Sequence, residues 1–139
     1  MTRIVIAPLL LGAAIAFAGP ACAEKFKATL DGKSEVPATT SAATGSADID
    51  YDAASKKLTW KLTYSGMTGP VSAAHFHGPA EAGKNAGVAV LIGNNPTSPA
   101  KGSATLTDAQ AADLTAGRWY VNIHTAANRP GEIRGQVTK

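Results

Sequence analysis

Three histidines occur in this 139-residue chain, and all three fall in two short apolar stretches. His75 and His77 lie in Ala74-His75-Phe76-His77-Gly78-Pro79, and His124 ends Trp119-Tyr120-Val121-Asn122-Ile123-His124. Neutral imidazole is the commonest side-chain metal ligand. On a β-strand, residues two apart point to the same face, roughly 6.5–7 Å apart along it. His75 and His77 can therefore converge on one ion, while Phe76 points the opposite way, into a core. His124 shares its face with Tyr120 and Asn122, and Trp119, Val121 and Ile123 take the other, strongly apolar one. If the two strands are neighbours in a sheet, three nitrogen donors meet at one point.

Three imidazoles without a thiolate suit copper, zinc or nickel, with copper(II) highest in intrinsic affinity. A blue-copper electron-transfer site is excluded, because it needs a cysteine ligand and the only cysteine, Cys22, falls in a segment read below as removed. Three protein ligands leave an open position, as catalytic rather than structural sites do. Glu81 or Glu132 could add an oxygen ligand or accept an imidazole N–H. Other chemistry has little support. Ser65 and Ser72 stand in no nucleophile-elbow context, and there is no phosphate loop or dinucleotide fingerprint.

These residues need a scaffold, and the chain reads as all-β. Residues 1–23 have the layout of a secretory leader: Arg3, an apolar run from Ile4 to Ala18, and Ala21-Cys22-Ala23 as a small-x-small cleavage site. The run is shorter than the roughly 20 residues a spanning helix needs. The mature part is then a single domain, residues 24–139, without a thiol and with formal charge reduced from +3 to +2 by the loss of Arg3. That charge is too weak to argue for a nucleic-acid or membrane partner. Strands are expected at Lys25–Leu30, Gly45–Tyr51, Lys57–Tyr64, Val71–His77, Gly87–Ile92, Lys101–Leu106, Arg118–His124 and Glu132–Val137. The clearest is the third, with Leu58, Trp60, Leu62 and Tyr64 alternating against Lys57, Thr59, Lys61 and Thr63. Composition marks Gly87–Ile92 as a buried strand. Thr107 and Gln110 form a capping box for one short helix, ended by Gly117. Seven or eight strands with glycine and proline turns and one short helix describe a Greek-key-like antiparallel β-sandwich or barrel.

The motifs that punctuate this pattern resemble the CHRD domain family over essentially the whole mature chain. They are Glu35-Val36-Pro37, Gly45-Ser46-Ala47, Leu58-Thr59-Trp60, the His75/His77 stretch, Gly87-Val88-Ala89-Val90-Leu91, the segment from Gly117 to Thr125, and Pro130-Gly131-Glu132-Ile133-Arg134-Gly135-Gln136. That resemblance implies a β-rich extracellular or periplasmic domain. In the order His75, His77, His124 and Arg134 the chain is also similar to copper superoxide dismutases, which are Greek-key β-sandwiches. The similarity implies three copper ligands, with Arg134 attracting the superoxide anion. No histidine lies between His77 and His124, so that family's zinc site has no counterpart and a single copper ion is the expected cofactor. Arg129, in the loop after His124, is an equally available guide for an anion. An arginine on a last strand is otherwise a solvated edge charge. Three functions are then open: a periplasmic or secreted copper protein with dismutase-like turnover, a copper carrier or sequestering protein without turnover, and an extracellular binding or matrix module whose histidines are structural.

Overall fold

The computed structural model describes residues 22–139, so all but the last two residues of the expected leader lie outside the described part. Eight antiparallel strands and one helix follow in the order β1 (Glu24–Asp31), β2 (Thr44–Asp52), β3 (Lys57–Ser65), β4 (Val71–His77), β5 (Val88–Asn94), β6 (Ala100–Thr105), α1 (Asp108–Thr115), β7 (Tyr120–Thr125) and β8 (Ile133–Gln136). All eight strands belong to one sheet, ordered β5-β4-β7-β8-β1-β2-β3-β6. β5 and β6, its two ends, come alongside each other without a hydrogen-bonded ladder. The result is a nearly closed barrel in which β4, β5, β6 and β7 run in the spatial order β7-β4-β5-β6, a Greek key.

Period-two alternation decides which side chains fill the barrel. On β3, Leu58, Trp60 and Leu62 are buried while Lys57 and Lys61 are exposed. Trp60 meets Phe76 edge-on with ring centroids 5.3 Å apart, and Phe76 meets Trp119 at 5.6 Å. Phe76 has no exposed surface, so the residue between the two β4 histidines anchors that strand from inside. Wholly burying such a ring contributes about 3 kcal/mol, enough to hold the histidines' face outward. Helix α1 begins at the expected capping box, with the Gln110 N–H donating to Thr107 Oγ1 at 3.1 Å and the Thr107 N–H donating to Gln110 Oε1 at 2.9 Å. Gln110 Nε2 also donates to the Ala89 carbonyl at 3.0 Å, which ties the helix across the β5 edge.

Two expectations change. β5 is an edge strand, with Val88 55% and Leu91 48% exposed, because an apolar run reads alike in the middle and at the rim of a sheet. β8 is interior, flanked by β7 and β1, so Arg134 is not an edge charge. It is 2% exposed.

Candidate metal centre

The barrel's sheet order makes β4 and β7 neighbours, and their register brings the histidines together. Ala73 pairs with His124, His75 with Asn122, and His77 with Tyr120. Residues opposite or diagonal on one face of an antiparallel pair lie within side-chain reach. One nitrogen from each of His75, His77 and His124 lies within 4.8 Å of the others. His75 Nδ1 and His124 Nε2 are 3.1 Å apart. His77 is buried, and His75 and His124 are partly exposed, so the cluster opens to solvent on one side.

Hydrogen bonds to backbone carbonyls settle which nitrogens face inward. His77 Nδ1 lies 2.9 Å from the Ala86 carbonyl oxygen, and His124 Nδ1 lies 2.7 Å from that of Arg129. A carbonyl only accepts, so both Nδ1 atoms carry the proton and both Nε2 atoms present a lone pair, that of His124 accepting from the His75 Nδ1–H until an ion displaces the proton. His77 Nε2 is buried and has no hydrogen-bond partner. A buried acceptor without a partner is costly, and an ion at this point would satisfy it. His75 turns Nδ1 toward the same point. Burial, with repulsion from His124 and His77, pushes the His75 imidazole down to about 4. It is therefore neutral, and able to ligate, through the mildly acidic range. His77 is lowered in the same direction, mainly by burial and against the pull of the Ala86 carbonyl.

Among the described residues no carboxylate joins this cluster. Glu81 is exposed in the loop after β4. Glu132 is fully buried and already engaged, accepting from the Thr68 N–H at 3.1 Å, the Thr68 hydroxyl, Asn128 Nδ2 at 2.9 Å and the Thr125 hydroxyl at 3.4 Å. The orienting role expected of these acids falls to the carbonyls of Ala86 and Arg129, which no side-chain pattern could reveal.

Behind His77 lies a stack that sequence reasoning did not foresee. The Tyr120 ring is parallel to the His77 imidazole, with centroids 4.9 Å apart and planes 2° apart. The Arg134 guanidinium lies over the Tyr120 ring, 3.5 Å from its centroid. It donates to Asn85 Oδ1 at 3.0 Å and to the Lys84 carbonyl. The Tyr120 hydroxyl meets both the N–H and the carbonyl of Ala86. Loop residues 84–86 are thus bound by the same side chains that back the histidines. Arg134 stands behind Tyr120 and reaches the cluster through that ring. Arg129 is exposed, and its backbone carbonyl meets His124.

A second acid lies near this layer. Glu35 is 4% exposed and its Oε1 has no partner. Gly131, at φ +136°, makes room for it: a Cβ there would collide with Glu35 Oε1 and sit 2.7 Å from Asn122 Nδ2. Burial pushes the Glu35 carboxyl up from its ordinary 4.5 to about 7, against the opposing pull of the Val36 N–H, Arg134 and Asn122. The folded state therefore binds more protons than the unfolded chain between those values, and stability falls as pH rises through that window. Replacing Glu35 with glutamine should stabilise the protein by about 2 kcal/mol at pH 8 and by little at pH 5. Urea unfolding at the two pH values checks this. An equal gain at both would show that the buried charge is not the cause.

The family model described as the CHRD domain matches residues 26–137. No curated protein matches the chain, and no solved structure matches it.

Proposed function

Since the chain belongs to the CHRD domain family, we propose that it is a secreted or periplasmic copper-binding domain in which His75, His77 and His124 hold one copper ion and support dismutase-like turnover of superoxide. The observation that carries this reading is the convergence of three imidazole nitrogens within 4.8 Å, two of them with the tautomer set by a backbone carbonyl. The donor set fits copper. It is all nitrogen and neutral, it has no thiolate, and it has no carboxylate to favour a harder ion. Copper so held supplies one-electron chemistry: one superoxide is oxidised to dioxygen, and a second is reduced and takes up two protons to give hydrogen peroxide.

The residues around the ion would do the rest. Ala86 and Arg129 aim His77 and His124 through their carbonyls. Partial exposure of His75 and His124 gives a small anion a way in. Arg129, exposed and joined to His124 through its carbonyl, would draw the anion, and Arg134 would add positive potential through Tyr120. Both effects are short-ranged, because the net charge is small and salt screens beyond about 10 Å.

The test is copper(II) titration of the mature protein read by electron paramagnetic resonance, beside the His75→Ala and His124→Ala variants. Nitrogen hyperfine coupling from several imidazoles is expected in the wild type. Each variant should lose it and bind about a hundredfold more weakly, since even second-sphere losses cost 10–100-fold. Absence of tight binding, or loss in only one variant, would refute a shared site and leave a binding module with structural histidines. A loaded protein that binds as expected but leaves superoxide unchanged would be a carrier.

A further inference from the structure

Arg134 poses a physical problem that the copper reading alone does not solve. It is 2% exposed, and among the described residues no carboxylate lies within salt-bridge distance of it. Its hydrogen-bond partners are neutral, Asn85 Oδ1 and the Lys84 carbonyl, with the face of Tyr120 beside them; the one acid that feels its charge is Glu35, whose own burial drives it toward the protonated form. Burying a cation whose neighbouring carboxyl is itself driven toward the neutral form costs several kcal/mol unless its surroundings compensate. An apolar residue of similar volume would fill the same space at lower cost. The charge is held close to the histidine cluster, because the Tyr120 ring contacts both the Arg134 guanidinium and the His77 imidazole.

We propose that Arg134 is a positioning residue that biases the histidine site toward copper(I) over copper(II), acting as a fixed positive charge through the Tyr120–His77 stack. The inference rests on the copper reading above and adds the oxidation-state preference to it. A fixed cation repels a divalent ion more than a monovalent one. The two spacings in the stack put the guanidinium within about 8 Å of the His77 ring; for an ion beyond that ring, at roughly 10 Å and an effective dielectric constant of about 20, one extra unit of charge changes a binding constant about tenfold. The tyrosine ring transmits this field because it keeps water out from between the two groups. The guanidinium is kept from swinging away by its two bonds to residues 84 and 85.

The experiment measures copper(I) and copper(II) affinities separately, by competition with chelators specific for each state, in the wild type and in Arg134→Met, Arg134→Gln and Arg134→Lys. The ratio of copper(I) to copper(II) affinity should fall about tenfold in the methionine variant and in the glutamine variant. It should stay within about threefold of wild type in the lysine variant, which keeps the charge but not the planar fork. Arg134→Gln retains a donor for Asn85 and Lys84 and decides the matter if Arg134→Met does not fold. A purely structural arginine would lower both affinities together and leave the ratio unchanged, and that result would overturn the inference. Failure of the copper reading itself looks different, because the wild type would then lack the multi-imidazole signal whatever stands at position 134.

Discussion

Replacing Glu132 with alanine should destabilise the protein by about 3–5 kcal/mol, read as a lower urea midpoint with little change in slope. Glu132 has no exposed surface. Its two oxygens accept from Thr68 in the β3–β4 connection and from Thr125 and Asn128 at the end of β7 and in the loop beyond it. Truncation leaves several buried donors unsatisfied at about 1–3 kcal/mol each, and adds a cavity. The effect should extend to the metal. Asn128 and Thr125 set the course of the loop that contains Arg129, whose carbonyl orients His124. Copper affinity in Glu132→Ala should accordingly fall, although Glu132 is not a ligand. A loss below about 1 kcal/mol would show that the network is not cooperative. Glu132→Gln, which keeps the volume and one acceptor, should lie between the two.

Gly135→Ala is expected to have the second largest effect on stability, about 3 kcal/mol or roughly 10 °C in melting temperature. Gly135 pairs with Val121 of β7 on one side, and on the other it lies against the backbone of β1. A Cβ would collide with the Thr29 carbonyl. Backbone cannot step aside as a flexible side chain can, so β8 would have to leave β1, at the seam where the first and last strands meet. Gly69→Ala is the control. Nothing lies within 4 Å of its added carbon, and it should melt within about 0.5 kcal/mol of wild type. Equal effects at the two positions would argue against the steric account.

Much of this architecture was legible in the residue pattern, and the rest was hidden for identifiable reasons. β4 runs from Val71 to His77 as expected, because glycines and a proline bound it and Phe76 alternates against the two histidines. Trp119, Val121 and Ile123 fill the core as their period requires, which leaves His124 on the outer face. Neighbouring strands β4 and β7 could only be supposed from sequence, since strand order depends on contacts far apart in the chain. The same limit explains Arg134. It lies on the last strand in sequence but on an interior strand in space. β5 was misread for a related reason, since Val88 and Leu91 look like core residues until one knows that only β4 is laddered to them. The carbonyls that orient His77 and His124 have no side-chain signature at all.

The pairing of β1 with β8 through Asp31 and Arg134, and the bridge from Lys27 to Thr138 just beyond β8, have a consequence in time. Nearly the whole described chain separates these partners. Loop-closure entropy is therefore lost before the closing contacts can repay it, which places the protein among slow folders, in the millisecond-to-second range. A chain still emerging, without β7 and β8, can hold His75 and His77 but not the third imidazole or the seam. Such a chain stays open until its final strands arrive, and only then can the three histidines come together.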